Sequence, residues 1–170
     1  MAVGSLPTLC GYHCGMAVIR PVDPADRSLL AEGFERLSDQ SRYQRFFRAV
    51  SRLRDDELDF FVNVDHDQHE AIGALTPDGT HGLGIARYIR LSPASDAAEV
   101  AIVVADEAQG LGLGKVLVRE LAATARDHGI ERFVAQTGVA NRPFRRIMER
   151  LGPTRTLDIE GGTIELETQL

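Results

Sequence analysis

Three features of the sequence predict a three-layer α/β (α+β) fold. Helix-period segments crowd residues 24–62, strand-like runs dominate from residue 70, and the apolar run Ala97–Val104 meets a glycine-rich turn opening a long helical segment. Helices and strands that alternate late in the chain need a sheet covered on its faces.

The elements follow in order. Ala17 to Arg20 reads as a short strand that Pro21 ends. From Pro24 to Leu37 the apolar residues Leu29, Leu30, Phe34 and Leu37 recur at helical spacing, with Asp23 as the cap. Asp39 or Ser41 starts a second helix carrying Tyr43, Phe46 and Phe47, and Asp55 caps a third containing Leu58, Phe61 and Val62. Glu70 to Thr76 and Gly82 to Leu91 are strands around the turn Pro77-Asp78-Gly79. Ala97 to Val104 is a third, notably apolar strand. The helix predicted over 112–128 buries Val116, Leu117, Leu121 and Ala125, and Gly129 stops it. A strand over 132–137, a helix over 143–151 and a hairpin, Thr154 to Ile159 and Thr163 to Thr168 around Gly161-Gly162, complete the order.

Composition limits the function classes. The chain has 170 residues, 44% of them hydrophobic, which suits one domain with a full core, expected over 17–170 behind a flexible leader over 1–16. A formal charge of −6 argues against a nucleic-acid binder, which needs a basic face. Both cysteines, Cys10 and Cys14, fall in the leader beside His13, and no second ligand cluster at zinc spacing follows. Without a disulfide framework, a signal-peptide core or a membrane-spanning run, the expected place is the cytoplasm. Asp65-His66-Asp67-Gln68-His69-Glu70 holds metal-ligating types but reads as a polar turn, and no metal is expected. Arg42, Arg45, Arg48 and Arg52 recur at helical spacing and read as a solvated basic face.

Residues Gln109-Gly110-Leu111-Gly112-Leu113-Gly114-Lys115 carry the clearest chemistry. Glycines remove Cβ atoms where a ligand must approach the main chain, and the helix that follows presents free N–H groups and a positive dipole end. An anionic, phosphate-bearing ligand is the expectation. The dinucleotide fingerprint does not fit, because the spacing is Gly-x-Gly-x-Gly and Gln136 and Thr137 stand late in the next strand. Nor does the nucleotide P-loop, since Gln109 replaces its first glycine and Val116 its hydroxyl residue.

With its element order, the Gln-x-x-Gly-x-Gly loop after Ala101-Ile102-Val103-Val104, and Asn141 opening the last helix, the chain resembles the GNAT family of acetyl-CoA-dependent N-acetyltransferases over about Ala17 to Thr168. Arg20-Pro21, Leu37-Ser38, Ser41-Arg42-Tyr43, Arg45-Phe46-Phe47 and Ala98-Glu99-Val100-Ala101 narrow the resemblance to the catalytic domain of bacterial Pat-type protein lysine acetyltransferases. The resemblance implies a GNAT fold whose central mixed, mostly antiparallel sheet is splayed at the acetyl-CoA site. It places the pantetheine arm along Ile102, Val103 and Val104. The pyrophosphate falls on Gly110, Leu111, Gly112, Leu113, Gly114 and Lys115, with Gln109 shaping the loop. Asn141 caps its helix or contacts the arm. Implied partners are acetyl-CoA and a protein or small-molecule amine, with no nucleic acid and no membrane; a homodimer stays open.

Acetyl transfer to an ammonium group, whose reference pKa is about 10.4, needs a proton acceptor. Glu99, a carboxylate among Val100, Ala101 and Ile102, is the expected general base, with a solvated outward-facing residue as the alternative. The Val104 N–H is the expected donor to the developing oxyanion. Many family members place a tyrosine seven residues after the asparagine to protonate the leaving thiolate, and here that position is Met148. Three outcomes follow: the thiolate leaves unaided, water supplies its proton, or the chain is an acyl-CoA-binding sensor without turnover. The Tyr43, Phe46 and Phe47 segment is expected on the acceptor side.

Overall fold

The computed structural model describes residues 13–14 and 17–170. Its strands are β1 (His13–Cys14), β2 (Ala17–Pro21), β3 (His69–Leu75), β4 (Gly82–Arg90), β5 (Ala97–Val104), β6 (Arg132–Gly138), β7 (Thr154–Glu160) and β8 (Thr163–Gln169). Its helices are α1 (Arg27–Glu35), α2 (Asp39–Phe46), α3 (Asp55–Val62), α4 (Leu113–Asp127) and α5 (Arg142–Leu151). One sheet joins the strands in the order β1-β2-β3-β4-β5-β6-β8-β7. Only β5 and β6 run parallel among the described pairs. The sheet is therefore mixed and mostly antiparallel, as expected.

Helices cover both faces, and alternation along the strands sorts the core into two layers. Even-numbered β5 side chains (Ala98, Val100, Ile102, Val104) join Leu117, Val118 and Leu121 of α4 and Met148 of α5. Burying a leucine such as Leu117 or Leu121, both fully enclosed, contributes roughly 1.5–3 kcal/mol each. On the opposite face Phe34, Leu37, Leu53 and Leu58 form a second cluster, against which Phe46, Phe61 and Val103 pack.

Local differences from the sequence reading have physical causes. The first helix opens as a 3-10 turn, Pro24–Asp26, because Asp26 turns its carboxylate back to the Asp23 N–H and pairs with Arg20 at 2.6 Å. α2 starts at Asp39, the first of the two expected positions, and Ser38, which the sequence reading did not single out, caps it by accepting from the Ser41 N–H. Asp55 is the first residue of α3 and not its cap; Glu57 reaches back to the Arg54 N–H. The expected basic face does not form, since α2 ends at Phe46, before Arg48 and Arg52. Arg42 is held by the Glu35 and Ser51 carbonyls, Arg48 pairs with Glu57, and Arg45 is folded inward. The 65–70 run is a turn, pinned by Asp65 accepting from the Asp67 and His69 N–H groups, and Glu70 and His69 are buried as β3 begins. Of the expected leader, His13 and Cys14 pair with Val18 and Ala17. The rest of it, with the side chains of the Cys10-His13-Cys14 group, lies outside the described residues.

Candidate active site

The site originates in a partial strand pairing. β6 pairs with β8 along seven residues, Arg132 to Gly138, but with β5 only where Ala97, Ala98 and Glu99 face Arg132, Phe133 and Val134. Beyond that point β5 continues to Val104 without a neighbour on its β6 side. A cleft of about 1000 Å³ opens between them.

Hydrogen-bond parity decides which main-chain groups face the cleft. Leu91 N–H donates to the Ala97 carbonyl and Ala105 N–H to the Leu83 carbonyl, so odd-numbered residues of β5 direct their main-chain groups to β4. The even-numbered Ile102 and Val104 turn theirs to the open side. Val103 lines the cleft, but its main-chain groups face β4 and its side chain packs under α1–α3.

At the far end of this open edge lies the glycine loop. Gly110 (φ +78°) and Gly112 (φ +82°) adopt left-handed backbone that side chains rarely tolerate. Gly112 occupies the N-cap of α4 without a side-chain cap. Among the described residues no acceptor meets the N–H groups of 110–114, whereas the Lys115 and Val116 N–H groups already donate to the Gly112 carbonyl. The main-chain anion cradle therefore ends one residue short of the expected set, and Lys115 offers its exposed ammonium instead. Gly114 serves packing: a Cβ there would meet Ile147 and Ile102 side chains at 3.2 and 3.3 Å, so the glycine lets α4 approach β5 and α5.

Gln109 ties the loop to both neighbours. Its Nε2 donates to the Val104 carbonyl (3.1 Å) and to Ser41 Oγ (3.1 Å). Ser41 and Ser38 hydroxyls in turn donate to Asp106 (2.9 and 2.7 Å), as does the Ser38 N–H. Burial pushes the Asp106 carboxyl up, but these donors outweigh it and hold it below the usual carboxylate range. This network fixes the start of α2 against the loop.

Glu99 lines the cleft near the parting point, on the α2 face of β5. It is exposed, so the expected cost of burying it does not arise; its position, not desolvation, marks it. Arg45 of α2 lines the same cleft, and its guanidinium, lowered by burial, feels Glu99 as its compensating charge. Phe46 and Phe47 stand beside it, while Tyr43 points away, exposed. Asn141 lines the opposite wall and caps α5 by accepting from the Phe144 N–H at 3.2 Å. Met148 is fully buried in the core, where neither proton donation nor cleft contact is available to it.

Thus the expected site residues come together along one cleft, except Leu111, whose side chain is exposed outside its lining. Sequence reasoning missed Arg146 and Arg150, which line the cleft from α5. Their i, i+4 spacing after Asn141 was the available signal. It also discounted Arg45, because nothing local says that α2 folds over β5. No helix among the described residues is long and apolar enough to cross a membrane, and among them no group of three or more His, Cys, Asp or Glu could hold a metal.

Known proteins share this sequence pattern and fold. Residues 27–152 match the model of the Acetyltransferase (GNAT) family. The acetyltransferase PA5475 of Pseudomonas aeruginosa is 34% identical over 137 residues, 79% of this chain and 73% of that protein. The acetyltransferase Pat of Mycolicibacterium smegmatis is 33% identical over 138 residues, and the match spans 79% of this chain but only 40% of Pat. The crystal structure of the GNAT domain of S. lividans PAT superimposes with a TM-score of 0.83 at 31% identity, covering 91% of this chain and 90% of that one. Family model, relatives and fold agree: the chain belongs to the GNAT acetyltransferase family, is similar to its Pat-type members, and is a transferase enzyme.

Proposed function

We propose that this acetyltransferase moves an acetyl group directly from acetyl-CoA to a primary amine, with a protein lysine side chain as the preferred acceptor. The observation that carries the reading is the open edge of β5, which runs from Glu99 to a glycine loop with unbonded N–H groups. The donor fits these residues. An extended amide-bearing arm can pair with Ile102 and Val104 as another strand would, and a pyrophosphate suits the N–H groups of 110–114 at the start of α4, with Lys115, Arg146 and Arg150 as nearby cations. Bound there, acetyl-CoA supplies the activated acyl group.

The chain's own residues do the rest. Glu99 accepts the proton that the acceptor ammonium must lose before it can attack, directly or through a water. Val104 N–H, at the strand end where Gln109 grips the Val104 carbonyl, lies five strand residues, roughly 16 Å, from Glu99 and so serves the arm beside the loop, not the thioester expected from the sequence. The donor to the thioester oxygen, as negative charge grows on it, is an open-edge N–H nearer Glu99. Asn141 orders the first turn of α5 beside the arm. With Met148 sealed in the core, the thiolate departs unaided or takes a proton from water, which a thiol of reference pKa about 8.5 permits near neutral pH.

Support for the lysine acceptor comes from the similarity to Pat. The test is incubation of the enzyme and acetyl-CoA with a cell lysate, followed by mass-spectrometric mapping of new acetyl groups. Acetyl-lysines that need both enzyme and donor are expected. Thiol release with small amines but none with proteins would shift the acceptor to a small molecule.

A further inference from the structure

Beneath α1–α3, on the side of β5 away from the glycine loop, lies a second cavity of about 100 Å³. Its walls are mainly apolar, with Leu30, Phe34, Phe46 and Phe61 facing Ile85 and Val103. Four charged side chains also line it, and they do not balance. Arg20 and Asp26 neutralise each other through a two-pronged pair at 2.6 and 2.7 Å. Arg45 and Arg87 are left.

Neither has a carboxylate partner within 4 Å among the described residues. Arg87 is 5% exposed and is solvated by neutral groups only: it donates to His69 Nε2 (3.0 Å) and the Phe61 carbonyl (3.3 Å) and stacks 4.3 Å from the Phe61 ring centre. His69 brings no negative charge, and burial with the nearby Arg87 lowers it to about 4, so it is neutral at pH 7. Arg45 rests on the Phe46 ring at 4.9 Å, and the acid it feels, Glu99, lines the cleft and not this cavity. Burial and mutual repulsion lower Arg87 to about 9, still protonated at neutral pH. A buried guanidinium, Arg87, beside a second, half-buried one, Arg45, whose one acid lies in the cleft, leaves this mainly apolar chamber with an excess of positive charge that calls for an anion, since buried charges are ordinarily paired. Guanidinium geometry suits a carboxylate.

We propose that this cavity binds a small apolar monocarboxylate, with its carboxylate between Arg45 and Arg87 and its hydrocarbon body among Phe34, Phe46 and Phe61. An apolar cavity of about 150 Å³ admits benzene, so one of about 100 Å³ suits a body of roughly four or five carbons. Arg45 lines both the cavity and the cleft, so the ligand draws on the same guanidinium that faces Glu99. Two sources offer this chemistry: a free short-chain acid, or the carboxyl end of an amino-acid acceptor whose amine reaches the cleft.

The test is thermal unfolding of the full chain with 3-methylbutanoate, against the isosteric neutral 3-methylbutan-1-ol, without acetyl-CoA. Its failure therefore leaves the acetyl-transfer reading standing, and the converse holds too. At about ten times its Kd, a ligand raises the unfolding temperature of a chain this size by roughly 3–6 °C. The acid is expected to give that shift and the alcohol not. Arg87→Met should abolish it, and Arg45→Gln provides the same reading if the first variant does not fold. Leucine with acetyl-CoA separates the sources: thiol release assigns the carboxylate to an acceptor, and stabilisation by the acid without release from leucine assigns it to a free acid. No shift with the acid, an equal shift with the alcohol, or a full shift in the arginine variants would overturn the proposal.

Discussion

The two edges of β6 differ sharply. Toward β8 it is paired along its whole length, and the seam is locked by the buried Glu167, which accepts from Arg132 at 2.9 Å and from Arg155 at 2.8 Å. Toward β5 it is paired for three residues and then parts. A sheet gains stability from each closed ladder, so leaving Ile102 and Val104 open makes sense where a ligand completes the ladder. In the proposed reading the closed edge carries stability and the open edge carries function.

Four perturbations probe this division, in descending order of effect. Gly112→Val forces a β-branched side chain into left-handed backbone at the head of the open edge, and acetyl-CoA binding measured by calorimetry should vanish. Normal binding would remove the loop from the cofactor site. Glu99→Gln should lower turnover by about 10²–10⁴-fold at neutral pH while the acetyl-CoA Kd stays within about threefold; unchanged turnover would sink the general-base role.

The next two concern the closed part of the sheet. His69 of β3 is lowered from 6.5 to about 4 by burial, with Arg87 adding to it. The unfolded chain then takes up this proton first as pH falls, so stability is full above about 6.5 and is lost progressively toward 4. The difference amounts to up to about 3 kcal/mol, and His69→Gln should flatten that part of the stability profile in denaturant titrations. An unaltered slope would show that other groups set it. Smallest is Glu167→Gln, which should cost about 1–3 kcal/mol in unfolding free energy and leave acetyl-CoA affinity unchanged. If affinity fell with stability, the two edges would not be independent.

Much of this architecture could be read locally. β5 has the expected limits because Ala97 to Val104 is apolar at every position but Glu99, and the glycine loop declares itself through residues whose backbone needs positive φ. α5 begins one residue earlier than expected because Asn141 caps it at once. What could not be read depends on contacts distant in sequence. The parting of β5 from β6 is set by pairing between segments more than thirty residues apart, and the Ser38–Asp106 bond joins residues 68 apart. The inward turn of Arg45 follows from that anchoring. A sequence shows three- and four-residue spacing of arginines, but not that one of them turns inward.

The central claim is that the unpaired edge of β5 is completed by acetyl-CoA, and residue-resolved amide hydrogen exchange tests it most directly. With saturating acetyl-CoA, the amides of Ile102 and Val104 and of residues 110–114 should become protected. Ala101 and Val103, already directed to β4, should change little. Protection of the odd-numbered pair, or none at Ile102 and Val104, would contradict the account.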